Sequence, residues 1–195
     1  PVYASGGVTE AKTADVQAGF EKNVSNLTVA LSGADCVHLT AGLMDSANAI
    51  SYQHFAIDDE SIGMIQRILH GIEVDDERLA VEEIEKVGPG GHYLMEQQTL
   101  RYMESEFFYP ELSERCSFEA WEEMGRPSMV KRAKKRVRTI LREYASGVFD
   151  PELDHRIHKR FPEIRPFSEW ALPEEEDDDG EGENGREQPL CASRS

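Results

Sequence analysis

The segment Pro1-Val2-Tyr3-Ala4-Ser5-Gly6-Gly7 runs through Val8-Thr9-Glu10-Ala11-Lys12 into an amphipathic stretch, and that order constrains the fold more than any other feature of the chain. A short apolar run, a polar turn with two glycines and a covering helix make a βα unit. In βα-repeat proteins ligands bind outside the carboxyl ends of parallel strands, so chemistry is expected on the turn. The chain opens on Pro1 without an initiator Met and enters the strand at once, which leads us to expect the C-terminal part of a longer protein.

The covering helix is expected over residues 15–31. Val16, Phe20, Val24, Leu27 and Leu31 recur at helical spacing, Asp15 can cap the start and Gly33 can close the end. Cys36-Val37-His38-Leu39 then reads as a short buried strand ending at Thr40-Ala41-Gly42, a second βα start. A polar loop with Asp45, Ser46, Asn48 and Ser51 leads to a second helix at about residues 57–71, carrying Ile62, Ile65, Ile68, Leu69 and Ile72. After Gly71 only helices are expected: one from Asp75 stopped by Gly88-Pro89, then residues 97–107, 117–124 and 128–144. From about Ser146 the periodicity fades among prolines, although Phe161, Phe167 and Trp170 offer docking points. Residues 174–195 lack the apolar content for a core and read as a disordered acidic tail. The expected division is therefore 1–145 folded, 146–173 an extended docking segment and 174–195 tail.

Charge narrows the partners. The net charge is −17; residues 171–195 hold nine acidic and two basic side chains, which leaves −10 on residues 1–170. A surface so negative repels phosphate backbones and argues against nucleic-acid binding. It also suits a protein kept in solution at high salt, where screening weakens self-repulsion. No run reaches the roughly 18 to 20 apolar residues of a membrane helix and there is no signal-peptide pattern, so a cytoplasmic protein is expected. Three cysteines without CxxC spacing, Cys36, Cys116 and Cys191, argue against a disulfide framework. Cys36 and His38 form a CxH pair, but no second pair with metal-ligand spacing accompanies it, and no metal is assigned.

A set of ordered motifs carries a resemblance. Ala4-Ser5-Gly6-Gly7-Val8-Thr9-Glu10-Ala11-Lys12, Asp15-Val16-Gln17-Ala18-Gly19, Ala30-Leu31-Ser32-Gly33-Ala34, Ile57-Asp58-Asp59-Glu60-Ser61-Ile62-Gly63-Met64-Ile65, Gly71-Ile72-Glu73-Val74, Val87-Gly88-Pro89-Gly90-Gly91 and Glu119-Ala120-Trp121-Glu122 stand in one order. Over about residues 1–160 this resembles the C-terminal region of the trimethylamine:corrinoid methyltransferase family. The resemblance implies an α/β fold, the C-terminal portion of a (β/α)8 TIM barrel, helix-rich and followed by the acidic tail. It further implies transfer of a methyl group from a methylated amine, either trimethylamine or a betaine-like quaternary amine, to the cobalt of a corrinoid. That corrinoid (cobalamin) would be carried by a partner protein, with no cofactor bound directly by this chain. Members acting on trimethylamine use pyrrolysine, which is absent from these residues, while many relatives lack it.

Position in the βα pattern nominates the site. Gly6 and Gly7 allow close backbone approach after the first strand, and Thr9, Glu10 and Lys12 follow at its mouth. Glu10 could offset a substrate's positive charge; equally, Glu10 and Lys12 could cap the next helix and pair with each other. Asp45 occupies the equivalent place after the second strand and is the second candidate catalytic carboxylate. Gly7, Thr9, Lys12, Tyr52 and Phe55 are the candidate substrate-binding residues, the two aromatic rings because a ring face attracts a quaternary ammonium by about 0.5 to 2 kcal/mol. Packing competes as the role of Phe55. His38, inside an apolar strand, reads as a hydrogen-bonded core histidine.

Lys131, Arg132, Lys134, Lys135, Arg136, Arg138 and Arg142 crowd one helix opposite Val130, Ala133, Val137, Ile140, Leu141 and Tyr144. A solvated face paired with nearby acids, a docked partner and a folded-back acidic tail are the alternatives, with nucleic acid ranking behind them. No GxSxG elbow, P-loop or dinucleotide fingerprint is present. Homo-oligomer formation is left open. The competing reading is a non-catalytic truncated fragment or interaction module of the same family, since two recognisable strands cannot enclose an active site.

Overall fold

The structure is a computed structural model that describes residues 1–143 and 150–164. The chain divides into two units, residues 1–113 and residues from 114 onward.

The first unit opens with β1 (Tyr3–Ser5), α1 (Val16–Leu31) and β2 (Cys36–His38). β1 and β2 pair in parallel, with Tyr3 opposite Cys36, Ala4 opposite Val37 and Ser5 opposite His38. The expected βα start is thus present. The Asp15 carboxylate caps α1 by accepting from the amides of Gln17 at 2.9 Å and Ala18 at 3.3 Å. A two-stranded antiparallel hairpin follows, β3 (Leu43–Met44) on β4 (Ala49–Ile50). Then comes α2 (Tyr52–His70), which begins five residues before its expected start because the Ser51 hydroxyl accepts from the amide of His54.

The expected portion of a (β/α)8 barrel does not form. A barrel wall needs strands of about five residues or more, laid side by side around a closed ring. Here each parallel strand has three residues, the other sheet is a separate hairpin, and among the described residues no strand follows Ile50. The physical cause is in the sequence: beyond α2 the chain supplies capped helices broken by glycine, and no apolar run of strand length.

A second correction concerns α1. Its apolar row was expected to face inward, yet Val16 is 84% exposed, Phe20 57%, Val24 62% and Leu31 61%. The face turned inward is Ala18, Lys22 and Asn26, also spaced by four. Hydrogen bonds and an ion pair reward that orientation, as described below. On α2 the buried residues are His54, Asp58, Glu60, Ser61 and Ile65, while Ile68, Leu69 and Ile72 are exposed. Cys36, expected in a buried strand, is exposed, and Leu39 leaves the strand at φ 64°.

The rest of the first unit is α3 (Asp76–Leu79), α4 (Val81–Val87) and α5 (Gln97–Tyr102). The single helix expected from Asp75 is broken at Ala80, which lies at φ 54°. Glu60 ties the end of the unit to α2: its carboxylate accepts from the amides of Leu112 and Ser113 and from the Ser113 hydroxyl, the last two at 2.9 and 2.6 Å. Arg67 reaches Glu106 at 2.7 Å, and Arg78 reaches the same carboxylate at 3.3 Å while lying 4.9 Å from the Tyr102 ring centre.

The second unit contains α6 (Phe118–Glu123), α7 (Met129–Glu143) and α8 (Pro151–Arg160). Ser117 caps α6 and Gly125 ends it at φ 79°. The basic helix is α7: Ala133 is buried, Arg132 pairs with Glu114 at 3.3 Å, and the exposed side carries Lys131, Lys135, Arg136 and Arg142. α8 lies in the stretch expected to be irregular; Asp150 followed by Pro151 starts it. The expected docking by Phe167 and Trp170, the contribution of Tyr144, Cys191 and the acidic tail lie outside the described residues.

Candidate functional site

The two segments that follow β1 and β2 cross each other. The Asp45 amide donates to the Ala11 carbonyl at 3.0 Å and the Ser46 amide to the Thr9 carbonyl at 2.9 Å. Thr9 is buried and its hydroxyl donates to Glu21 at 2.5 Å; Glu21 also accepts from the Glu10 amide at 3.0 Å and from Gln17 at 2.9 Å. These donors hold the Glu21 carboxyl below its ordinary value, the Thr9 hydroxyl most strongly.

This crossing assembles three of the expected residues. Lys12 Nζ lies 2.6 Å from Asp45 Oδ1 and 3.8 Å from Glu10 Oε2, and the Ser46 hydroxyl donates to Glu10 Oε1. Its hydrogen bond to Asp45 raises the Lys12 pKa. One cation shared between two carboxylates leaves a patch with one net negative charge, on side chains that remain solvent-accessible. The pairing of Glu10 with Lys12 weighed from sequence is present, with Asp45 as a third member.

Asp45, Ser46 and Ala47 have φ of 50°, 52° and 67°. Three successive side-chain-bearing residues in the left-handed region cost roughly 1 to 2 kcal/mol each. Strain of this kind persists only where surrounding contacts over-determine it, and it clusters at ligand sites.

Gly7 plays a different part from its neighbours. It lies at φ 70°, its amide donates to the Ser25 hydroxyl at 3.0 Å, its carbonyl accepts from Lys22 at 2.6 Å, and a Cβ would sit 2.5 Å from the Thr40 carbonyl oxygen. Both main-chain polar groups are therefore occupied. Tyr52 and Phe55 project from the first turn of α2 and are exposed; the Phe55 ring covers Gly42, and neither ring joins the Lys12 contacts. His38 is half-buried, stacked on Tyr3 with centroids 4.4 Å apart and hydrogen-bonded to Ser5 at 2.9 Å. Among the described residues no three His, Cys, Asp or Glu side chains converge as a metal-binding group, and no helix is long and apolar enough to cross a membrane.

The family model for trimethylamine methyltransferase (MTTB) matches residues 1–163. The chain belongs to that family. It is 36% identical over 157 residues to the glycine betaine methyltransferase of Desulfitobacterium hafniense strain Y51, covering 80% of this chain and 33% of that protein. It is 32% identical over 156 residues to the trimethylamine methyltransferase MttB of Methanosarcina barkeri strain Fusaro, covering 78% of this chain and 30% of that protein. The chain thus spans about a third of the length of the curated relatives it matches.

Within this trimethylamine methyltransferase family segment, sequence reasoning missed Lys22, His54 and Asp58. Lys22 is 0% exposed, and His54 and Asp58 are 2% exposed each. The available signal was the Ala18, Lys22, Asn26 spacing, a second helical row competing with the apolar one. An apolar row is normally the better guide to burial, and Lys22 lies off it.

Proposed function

We propose that the chain is part of an enzyme that moves a methyl group from a methylated amine, trimethylamine or a betaine-like quaternary amine, to the cobalt of a corrinoid carried by a separate protein. The observation that carries the reading is the family match over residues 1–163. The Glu10–Lys12–Asp45 patch agrees with it, because two carboxylates sharing one ammonium suit a cationic ligand.

In this reading Glu10 and Asp45 face the substrate's positive nitrogen. Lys12 screens the repulsion between the two carboxylates and offers a counter-charge to the carboxylate of a betaine. Thr9 and Gly7 fix the height of the loop, and Tyr52 and Phe55 offer ring faces to an ammonium group. The partner's corrinoid, when reduced, supplies the nucleophile for the methyl carbon. The carbon–nitrogen bond breaks with its electron pair remaining on nitrogen, so a quaternary amine leaves as a neutral tertiary amine, whereas trimethylamine must first take up a proton and then leaves as dimethylamine. The task left to the protein is orientation and exclusion of water. The chain would work with a corrinoid protein and bind no cofactor itself.

The test is to supply the complete natural polypeptide containing residues 1–195 with cob(I)alamin and either glycine betaine or trimethylamine. Loss of the cob(I)alamin absorbance with release of the demethylated amine supports the reading. Absence of turnover with both amines, in a protein that remains folded, removes it. A second reading, an interaction module without catalysis, is favoured by one observation: the exposed apolar row of α1, which suits contact with another protein surface.

A further inference from the structure

Lys22 is a fully buried lysine that the functional reading leaves unused. An ammonium group has three donors and no acceptor. All three have partners here: the Gly7 carbonyl at 2.6 Å, the Leu43 carbonyl at 2.9 Å and Asp58 Oδ2 at 3.0 Å. Asp58 is equally committed. Oδ2 also accepts from the Gly42 amide at 2.8 Å, and Oδ1 stands 3.3 Å from His54 Nδ1.

The partners are not scattered. Gly7 is two residues before Thr9, and Gly42 and Leu43 lead directly to Asp45. The pair therefore grips the first loop just past β1 and the second at the entry to β3, from α1 on one side and α2 on the other. A buried ion pair of this sort is no strong source of stability, because taking two charges out of water offsets most of their attraction. Apolar side chains of similar volume would serve as well if holding α1 to α2 were the only task.

We infer that Lys22 and Asp58 form a buried positioning pair, with His54 orienting Asp58, that sets the relative height of the loops bearing Glu10 and Lys12 on one side and Asp45 on the other. Neither residue reaches solvent or ligand; they act through main-chain carbonyls and one amide. The inference deepens the proposed amine site and rests on that reading only for what the loops bind.

The experiment compares the natural polypeptide with its Lys22→Met variant and its Lys22→Met/Asp58→Leu double variant. The readouts are thermal stability, hydrogen exchange of residues 9–12 and 42–46, and affinity for glycine betaine. The single variant leaves Asp58 buried without its counter-ion and should be destabilised. The double variant should regain stability, yet its loop amides should exchange about tenfold faster or more, and its betaine affinity should fall by a similar factor. Restored stability with wild-type loop exchange overturns the inference, since the pair then only joins the helices. Should the double variant fail to fold, Asp58→Asn decides by the same exchange readout, faster loop exchange supporting the pair and unchanged exchange overturning it. If the unaltered protein binds no betaine or trimethylamine, the amine reading falls, while the exchange comparison still decides the positioning role.

Discussion

Lys12 and Asp45 meet at 2.6 Å, one from the turn after β1 and the other from the turn inside the β3–β4 hairpin. The contact converts two separate acidic loops into a single patch with its own counter-ion. Because both side chains remain accessible, the pair adds little to stability.

Ligand binding should respond more than stability. Asp45→Asn deletes one charge from a solvated patch, where a unit interaction near 4 Å is about 1 kcal/mol, so affinity for tetramethylammonium should drop roughly fivefold. Lys12→Met should leave or improve that affinity but weaken glycine betaine, whose carboxylate loses its partner. Isothermal titration with both ligands checks the contrast; equal responses to the two ligands would remove Lys12 from the site.

Ala47 offers a test of strain. It is an alanine at φ 67° following two other left-handed residues, Asp45 and Ser46. Ala47→Gly relieves a cost of about 1 to 2 kcal/mol and gives back part of it as unfolded-state entropy, so a net gain of about 0.5 to 1 kcal/mol is expected. Chemical denaturation measures it.

Acid should loosen the Thr9 loop before it melts the helices. The Glu21 carboxyl is held below its ordinary value of 4.5 by the Thr9 hydroxyl, Gln17 and the Glu10 amide. A lowered folded-state pKa means that the unfolded chain takes up its proton first as pH falls. The contribution of Glu21 is thus complete above pH 4.5 and is lost as pH drops through the folded value below it. Glu21→Gln should remove this part of the acid dependence; an unchanged stability profile would show that Glu21 does not hold the loop.

Gly63 sits in α2 where an added Cβ would meet the outer edge of the exposed Phe108 ring. Gly63→Ala should change stability by less than about 1 kcal/mol, because displacing the ring offsets the better helix propensity of alanine. In a Phe108→Leu background, where the ring is gone, the same change should be stabilising, a coupling that a double-mutant cycle reads directly.

Self-association should follow the α1 row. Phe20 and Val24 are exposed neighbours on the row that includes Val16 and Leu31. Replacing both, as Phe20→Glu and Val24→Lys, adds an i,i+4 ion pair to the helix and removes two apolar contacts from the surface. Light scattering of residues 1–195 should report a smaller mean mass for the variant at equal concentration.

Local signals were readable from sequence where they act over a few residues. The Asp15 cap, the limits of α1, the parallel pairing start at Cys36 and the meeting of Glu10 with Lys12 all follow from short-range chemistry. What failed was long-range. The barrel expectation came from the family resemblance, and beyond Ile50 the sequence supplied no further strands among the described residues. The inward face of α1 was misread because Lys22 and Asn26 are buried through partners far along the chain, Leu43 and Asp58 for one and Thr40 for the other. Ser51 and Ala80 moved helix limits by a cap and a single left-handed residue, neither of which hydrophobic spacing records.

The polar interior between α1 and α2 has a consequence for assembly. Grease can collapse in any order and improve by degrees, but an ammonium that must shed its water finds compensation only when every acceptor has arrived. Residues 7, 22, 42, 43 and 58 therefore cannot settle piecemeal. The region they bracket should appear in one concerted step, and a break anywhere along it should undo the whole.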